Sequence, residues 1–187
     1  MTVQPAKPAV FLDRDGVLNE AIVRNGRPYP PGDLRELIIT HGARAALEEL
    51  KREGFLLIVV TNQPDVARGK ANRTDVDKIN AQLAAILPLD AIEVCEHDDK
   101  EQCDCRKPKP GMILRARERL GVDLAGSFMV GDRWRDIEAG RRVGCRTILI
   151  GDGYGETFPS APTIKLASLP EAASWILQQT GHEREII

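Results

Sequence analysis

Aromatic side chains are scarce in this chain: phenylalanine, tryptophan and tyrosine together make up 4% of its 187 residues. Proteins that bind single-stranded nucleic acids stack successive bases on aromatic rings, and this composition leaves few rings for that role. The chain also lacks a surplus of positive charge, since its formal net charge is -2. Nucleic-acid-binding domains usually carry a basic surplus. Both absences argue against a general nucleic-acid binder, and we expect no nucleic-acid partner.

Long hydrophobic runs are missing as well. The longest unbroken apolar stretch is FLLIVV, whereas a membrane-spanning helix needs about 20 apolar residues. The N-terminal segment MTVQPAKPAV has no apolar core of the length that a signal peptide requires. We therefore expect a cytoplasmic protein without a membrane partner, and we expect it to be a monomer. The length suffices for one domain with its own core, so a single domain over residues 1–187 is predicted.

Short apolar runs alternate along the chain with apolar residues at helical spacing. Five runs are typical of buried strands: residues 9–12, 55–60, 91–94, 127–130 and 146–150. Helical spacing occurs at residues 43–50, 76–86, 113–120 and 135–143, with an N-cap at Thr74 and a terminating Gly121. The tail adds a weak strand at 163–167 and a helix at 171–179. This alternation predicts an α/β fold, a parallel sheet covered by helices on both faces.

Polar side chains follow three of these strands at the point where each strand ends: Asp13 and Asp15, then Thr61 and Asn62, then Asp132. Open parallel sheets bind ligands beyond the carboxyl ends of their strands, so we expect these side chains to converge. Three converging carboxylates repel one another, and a hard divalent cation with oxygen ligands, such as Mg²⁺, relieves that repulsion. Alternatively, each aspartate caps a turn, a common position for aspartate.

Such a site suits phosphoryl transfer. An ionised aspartate can attack phosphorus and form an aspartyl-phosphate intermediate. At about 4 Å the carboxylate and the phosphate repel by roughly 1 kcal/mol in water, and by several times that in a drier site. A metal ion and a lysine would offset this repulsion. A second carboxylic acid could protonate the leaving oxygen and later deprotonate water.

Four motifs resemble, in sequence and in order, those of the haloacid dehalogenase superfamily of phosphatases: FLDRDGVLNE, VVTNQ, CRKPKPGM and MVGDRWRDIEAG. The resemblance implies a Rossmann-like sheet without a large cap domain. It implies Asp13 as the nucleophile and Asp15 as the general acid and base. Thr61 would orient the phosphate, Lys107 would clamp its charge, and Asp132 would bind Mg²⁺. The same ion would be bound by the Asp13 side chain and by the backbone carbonyl of Asp15.

Asp136, four residues after Asp132, has two interpretations. It could support the metal site without binding the ion directly. It could also be an acidic residue in the first turn of a helix, where the helix dipole favours negative charge. The sequence leaves both interpretations open.

Three of the four cysteines and one histidine lie within eleven positions: Cys95, His97, Cys103 and Cys105. Two closely spaced pairs, joined by a five-residue loop, form a Cys₃His set that is common in closed structural zinc sites. In a reducing compartment, clustered cysteines indicate a metal more than a disulfide. Free thiols or a disulfide are the alternatives. Cys145 is expected to be a small core side chain.

The basic run after the cysteines follows from this site. Zinc would fix a loop that otherwise flexes, and so would hold Lys107 accurately in place. Thr61, Asn62 and Lys107 would grip the transferred phosphate. Arg106 is the natural second phosphate contact, because a guanidinium binds phosphate oxygens in a bidentate manner. Lys109 is expected to be solvated.

A zinc loop in a chain without a cap resembles a narrower group, the D-glycero-D-manno-heptose 1,7-bisphosphate phosphatases and the related histidinol-phosphatase domains. TNQPDVARGK and CDCRKPKPGM are closer to the heptose enzymes. Pro64-Asp65 stands where Ser-Gly is usual, however, and the zinc loop is as short as in histidinol phosphatases. The resemblance implies hydrolysis of the 7-phosphate. Arg106 and Arg133, with Arg68 as a weaker candidate, could hold the second phosphate.

Several alternatives remain at this stage. Histidinol phosphate or another small phosphomonoester could be the substrate. A polynucleotide substrate is disfavoured by the negative charge and the few aromatic residues. A zinc-nucleated nucleic-acid binding module would need basic residues near the zinc and would not need three aspartates. A non-catalytic relative would usually have lost one of those aspartates.

Overall fold

A computed structural model describes residues 6–184 of the protein, with side chains up to residue 179. The strands are β1 (Lys7–Leu12), β2 (Ile22–Arg24), β3 (Arg27–Tyr29), β4 (Leu56–Asn62), β5 (Ala91–Cys95), β6 (Val122–Gly131), β7 (Arg146–Ile150) and β8 (Ile164–Leu166). The helices are α1 (Ala43–Arg52), α2 (Arg73–Ile86), α3 (Gly111–Leu120), α4 (Trp134–Arg142) and α5 (Leu169–Arg184), with a short 3-10 helix at Asp99–Glu101. Within residues 6–184, none of the helices combines the length and the apolar composition of a membrane-spanning segment.

Six strands form one sheet in the order β5-β4-β1-β6-β7-β8, and every neighbouring pair is parallel. The predicted parallel α/β sheet is therefore confirmed. From the central β1 the chain builds outward through β4 and β5, then returns to the other side of β1 with β6. Such a reversal opens a crevice at the carboxyl ends of the strands. Asp13 directly follows β1 and Asp132 directly follows β6, so both flank this crevice.

Helices cover both faces of the sheet, because successive strand residues point to opposite sides. In β1, Val10 and Leu12 pack in one core cluster with apolar residues of α1, α2 and α5. Ala9 and Phe11 pack in a second cluster with residues of α3 and α4. Each fully buried Leu or Phe side chain contributes about 1.5–3 kcal/mol to folding stability, because its apolar surface is removed from water. The two clusters therefore hold the sheet, and its carboxyl edge, firmly in place.

Most predicted helix boundaries agree with the structure, and one does not. α3 ends at Gly121, which has a left-handed backbone (φ +67°) and donates its N–H to the Arg117 carbonyl, as predicted. The predicted N-cap of α2 was wrong, because Asn72 occupies that position and Thr74 lies inside the first turn. Asn72 has the extended backbone that an N-cap needs, and asparagine is as good a cap residue as threonine.

The β2–β3 hairpin was not predicted. Its turn consists of Asn25 and Gly26, which both have positive φ values of +51° and +70°. Asn-Gly is the preferred pair for a two-residue hairpin turn that needs positive φ at both positions. The sequence therefore contained the signal, although only three residues flank it on either side.

Candidate active site

Three carboxylates converge at the carboxyl edge of the sheet. Asp13, Asp132 and Asp136 are buried, and each offers one oxygen within 4.8 Å of the others. The expected convergence of Asp13 and Asp132 is confirmed, because β1 and β6 are neighbouring parallel strands. Asp136 joins them from the first turn of α4, where its Oδ2 also accepts a hydrogen bond from the Arg133 backbone N–H (3.0 Å). Asp136 is thus an acidic residue in the first turn of α4, as one interpretation held, and its support of a metal site stays a prediction.

Lys107 lies inside this cluster. Its Nζ is 2.6 Å from Oδ1 of Asp13 and 2.6 Å from Oδ1 of Asp136, and its side chain is 3% exposed. Burial alone would lower the pKa of Lys107, but attraction by Asp13 and Asp136 outweighs burial and raises it. The lysine therefore stays charged and neutralises one of the three carboxylates. Lys107 thus lies beside the nucleophile candidate, and its role as a clamp on the phosphate charge stays a prediction.

The burial of the cluster and its remaining negative charge raise the pKa values of Asp13 and Asp132. Burial raises the pKa of Asp13 to about 6, helped by repulsion from Asp136 and opposed by Lys107. Burial, with repulsion from Asp13 and Asp136, also raises the pKa of Asp132 well above its usual range. Within the described residues, Oδ1 of Asp132 is buried and has no hydrogen-bond partner. Three carboxylates against one ammonium leave the cluster negatively charged, and Oδ1 of Asp132 is available as an oxygen ligand, so the site fits a hard divalent cation.

A close approach of the backbone completes this corner of the site. Gly16 has a φ of +92°, and a Cβ atom at this position would overlap the Asp132 carboxylate. Glycine is therefore required here both for its backbone conformation and for the space that it leaves. The DRDG motif thus brings the turn after β1 directly against the residue that follows β6.

Asp15 is held by a network that sequence analysis did not anticipate. Its carboxylate accepts hydrogen bonds from Nη2 of Arg14 (3.0 Å), Nδ2 of Asn19 (3.0 Å) and Nε2 of Gln63 (2.8 Å). Gln63 also donates to Oγ1 of Thr61 at 2.8 Å, so it links two of the predicted catalytic residues. Gln63 is the last residue of the VVTNQ motif, but a glutamine at this position does not by itself indicate a role.

Asn62 has a different environment from the one expected. Its Nδ2 donates to the backbone carbonyl of Lys107, and its Oδ1 accepts from the Lys107 backbone N–H, both at 3.0 Å. The side chain therefore fixes the peptide group of the buried lysine. That it also contacts substrate stays a prediction.

The four predicted zinc ligands come together. Cys95 and Cys105 are buried, Cys103 is half-buried and His97 is exposed. The five ligand-atom pairs in contact are separated by 3.2 to 3.7 Å. A tetrahedral zinc ion with Zn–S bonds of about 2.3 Å and a Zn–N bond of about 2.0 Å places its ligands about 3.5–3.8 Å apart. The geometry therefore fits a four-ligand zinc site, and all four cysteines of the chain are free thiols.

Lys109, which was expected to be solvated, braces this loop. Its Nζ donates to the backbone carbonyls of Gln102 (3.1 Å) and Cys103 (2.8 Å). The side chain is still 43% exposed, as expected, but the loop turns back toward its own exit and brings these carbonyl groups within reach. The lysine then satisfies carbonyl groups that have no place in a helix or sheet.

The two arginines predicted to bind a second phosphate both have acidic partners. Nε of Arg106 lies 2.8 Å from Oδ1 of Asp99, and the guanidinium lowers the pKa of Asp99. Arg133 pairs with both oxygens of Glu156. A third guanidinium, that of Arg135, lies near them, and its pKa is lowered by burial and by the charges of Arg133 and Arg106.

Arg106, Arg133 and Arg135 gather on this side of the site around the carboxylates of Asp99 and Glu156. Nη1 of Arg106 and Nε of Arg135 are buried, and neither has a hydrogen-bond partner in the described part of the chain. The weaker candidate, Arg68, donates to Asp98 at 3.0 Å, pairs with Asp65 at 3.3 Å and lies 3.7 Å from Asp99, so its acidic partners lie on the surface of the zinc loop. The unused guanidinium donors of Arg106 and Arg135 leave this rim able to accept an anion.

Tyr154 was missed altogether. Its hydroxyl donates to Oδ2 of Asp132 at 2.9 Å. Burial and the neighbouring Asp132 carboxylate raise the pKa of the phenol, so it remains protonated and acts as a donor. Tyr154 lies in the Gly-rich loop after β7, and the only sequence signal there was that of a turn.

Comparisons with known proteins agree with this geometry. The family model described as HAD-hydrolase-like matches residues 104–172. D-glycero-beta-D-manno-heptose-1,7-bisphosphate 7-phosphatase of Vibrio cholerae serotype O1 is 36% identical, with 92% of this chain and 98% of the relative covered. The enzyme of the same name from Escherichia coli K12 is also 36% identical, with 91% and 88% covered.

Solved structures give the same result. A D,D-heptose 1,7-bisphosphate phosphatase from B. bronchiseptica, complexed with magnesium and phosphate, superposes with a TM-score of 0.78 at 31% identity. The match covers 92% of this chain and 99% of that one. The corresponding enzyme from Burkholderia thailandensis has a TM-score of 0.62 at 26% identity, with 91% and 99% covered.

Proposed function

Because this chain belongs to the haloacid dehalogenase-like family of D-glycero-β-D-manno-heptose-1,7-bisphosphate 7-phosphatases, we propose that it removes the 7-phosphate of D-glycero-D-manno-heptose 1,7-bisphosphate. The reaction proceeds through an aspartyl-phosphate on Asp13. One observation carries the proposal. Asp13 lies at the crevice of a parallel sheet, accepts a hydrogen bond from the buried Lys107, and is flanked by the carboxylates of Asp132 and Asp136.

Magnesium is the proposed cofactor of this site. Asp13 and Asp132 would bind the ion through their carboxylates and Asp15 through its backbone carbonyl, with Asp136 beside them. The unpartnered Oδ1 of Asp132 supports this assignment, and so does the negative excess of the cluster. When bound, Mg²⁺ would offset the charge of the phosphoryl group and of the attacking carboxylate. The related structure from B. bronchiseptica was solved with magnesium and phosphate.

The residues of the chain divide the chemistry among them. Asp13 attacks phosphorus, and Lys107, already 2.6 Å from its Oδ1, draws the approaching dianion and offsets its charge. Thr61 orients a phosphoryl oxygen. Asp15 protonates the leaving oxygen of the sugar and then deprotonates the water that hydrolyses the aspartyl-phosphate. Gln63 fixes the position of Asp15 relative to Thr61, because its side-chain amide donates a hydrogen bond to each of them.

Zinc is proposed as a structural ion. Four protein ligands occupy a tetrahedral site completely, which leaves no position for a substrate or water. The last ligand, Cys105, stands two residues before Lys107, so zinc fixes the approach of the loop to the active site. Asn62 holds the Lys107 peptide from the opposite side. Zinc and Asn62 together would give the lysine the accuracy that catalysis requires.

The second phosphate of the substrate would be bound at the arginine rim. Arg106 offers an unpartnered Nη1, and Arg133 would have to share its guanidinium with Glu156. A bisphosphate brings a second dianion, which could accept a hydrogen bond from the unpartnered Nη1 of Arg106. A simple monophosphate would gain nothing there.

A second candidate substrate is histidinol phosphate. Asp99 and Glu156 lie on the same rim, and their carboxylates could pair with the amine and imidazole of that substrate. The five-residue zinc loop is also as short as in histidinol phosphatases. Both features favour this candidate without changing the chemistry at Asp13.

A substrate panel decides between these assignments. Phosphate release would be measured with heptose 1,7-bisphosphate, histidinol phosphate and simple sugar monophosphates, under saturating Mg²⁺. The proposal predicts the highest kcat/KM for the bisphosphate, and phosphorus NMR of the product should show only the 1-phosphate. A higher kcat/KM for histidinol phosphate would make histidinol phosphate the assigned substrate, and no phosphate release from any of these esters would reject both substrate assignments.

The proposal also includes a single domain over residues 1–187, a monomeric state and a cytoplasmic location. Size-exclusion chromatography with light scattering tests the second, because a dimer doubles the measured mass.

A further inference from the structure

The hydrogen bond that Tyr154 donates to Asp132 has no role in the proposed reaction so far. The two oxygens of the Asp132 carboxylate have different environments. Oδ2 accepts from the Tyr154 hydroxyl at 2.9 Å, whereas Oδ1 is buried and has no hydrogen-bond partner among the residues that the structure describes. A buried carboxylate oxygen without a partner is costly unless something else satisfies it. The tyrosine therefore occupies Oδ2 of Asp132 with a hydrogen bond, and Oδ1 remains available to a ligand.

We propose that Tyr154 is a positioning residue that sets the metal affinity of the site, by holding Oδ2 of Asp132 so that Oδ1 alone faces the ion. This inference rests on the proposed magnesium site. Mg²⁺ requires near-ideal octahedral geometry, which a carboxylate satisfies best through a single, fixed oxygen. Without the hydroxyl, the Asp132 carboxylate could rotate about its last bond.

The loop is built to hold the tyrosine in this place. Tyr154 has a left-handed backbone (φ +55°), an uncommon conformation for a residue with a side chain. Its N–H donates to Oδ1 of Asp152 at 2.9 Å, which stabilises the turn. Two residues later, Glu156 pairs with Arg133, the direct neighbour of Asp132. The loop after β7 therefore contacts two consecutive residues of the loop after β6.

The hydroxyl is also close to the turn that follows β1. A Cβ atom built on Gly16 would lie 3.2 Å from the Tyr154 oxygen. The hydroxyl thus packs between Gly16 and Asp132 and does not lie free in solvent. Because Gly16 is one residue after Asp15, the tyrosine stands where the two predicted metal-binding loops meet.

The test removes the hydroxyl alone. Tyr154→Phe keeps the ring, and Tyr29→Phe is a matched control, because Tyr29 is the only other tyrosine of the chain and is exposed on the β2–β3 hairpin. Mn²⁺, which takes the same oxygen ligands as Mg²⁺, would be titrated into zinc-loaded, magnesium-free protein, with free Mn²⁺ measured by electron paramagnetic resonance. Circular dichroism would confirm that each variant is folded.

The inference predicts that Tyr154→Phe weakens Mn²⁺ binding about tenfold or more, the usual effect of losing a partner that orients a metal ligand. Tyr29→Phe should bind as the wild type does. The Mg²⁺ concentration for half-maximal activity should rise in parallel, while kcat at saturating Mg²⁺ stays within about threefold.

Equal Mn²⁺ affinity in Tyr154→Phe and wild type would overturn the inference and leave the proposed function standing. A loss of kcat at saturating metal with unchanged affinity would also overturn it, because the hydroxyl would then act on the substrate. Failure of wild-type protein to bind Mn²⁺ would reject the magnesium site itself. The titration uses no substrate, so its outcome is independent of which phosphate ester the enzyme hydrolyses.

Discussion

Replacement of Lys107 by methionine should destabilise the metal-free protein strongly. Methionine has nearly the length of lysine and removes only the charge. In the folded protein Nζ of Lys107 is 2.6 Å from both Asp13 and Asp136, and the side chain is almost fully buried. The substitution would leave three buried carboxylates within 4.8 Å of one another, with no cation among them.

The expected size of the effect is about 3–5 kcal/mol of unfolding free energy, the usual cost of leaving buried charge without its partner. Repulsion gives a similar figure: two unit charges at 4.8 Å repel by about 3–4 kcal/mol at an effective dielectric constant near 20. Saturating Mg²⁺ should reduce the loss, because the ion supplies the missing positive charge.

The loss should also depend on pH. The pKa of Asp13 is about 6 in the folded wild type and about 4 in an unfolded chain, so the folded state binds the extra proton. Stability contributed by that proton is present at low pH and is lost as pH rises through the folded pKa. Removal of Lys107 raises the pKa of Asp13 further. The difference between variant and wild type should therefore be larger at pH 8 than at pH 6.

Urea denaturation in magnesium-free buffer, followed by circular dichroism, measures these values. Lys78→Met is the control, because Lys78 is 57% exposed and pairs only with Asp75 on the surface. The control should change stability by no more than about 0.5 kcal/mol. A loss below about 1 kcal/mol in Lys107→Met at pH 8 without magnesium would refute the reasoning, since it would show that the three carboxylates need no cation.

Three other perturbations test separate parts of the site. Asp13→Asn should lower kcat by about four orders of magnitude or more while circular dichroism shows that the variant is folded, and retention of a few per cent of activity would assign the nucleophile elsewhere. Cys103→Ala should lose the zinc that elemental analysis finds in the wild type, about one ion per chain, and should melt at lower temperature; a zinc-free wild type with full activity would contradict the structural role. Arg106→Ala should raise KM for heptose bisphosphate much more than KM for a sugar monophosphate, and equal effects would remove the second-phosphate contact from the rim.

The convergence of Asp13 and Asp132 could be predicted because parallel strands place their carboxyl ends at one edge. The zinc ligands could be predicted because all four lie in one short segment. Short sequence separation and regular geometry make such sites visible without a structure.

Other contacts depend on loops whose conformation no periodicity describes. Tyr154 reaches Asp132 across 22 positions, and Glu156 takes part of the Arg133 guanidinium across 23. Gln63 is adjacent to a predicted residue, but its role depends on where the turn after β1 places Asp15. Asp136 was ambiguous because one carboxylate caps a helix with one oxygen and pairs with Lys107 through the other.

The covalent step on Asp13 is the central claim, and trapping the intermediate tests it most directly. Enzyme mixed with excess heptose 1,7-bisphosphate and Mg²⁺ would be quenched within its first turnovers and treated with borohydride, which reduces an aspartyl-phosphate to an alcohol. Peptide mass spectrometry then locates the reduced side chain. We predict reduction at Asp13 alone, dependent on both substrate and Mg²⁺. Reduction at another residue, or none while phosphate is released in a burst, would contradict the assignment.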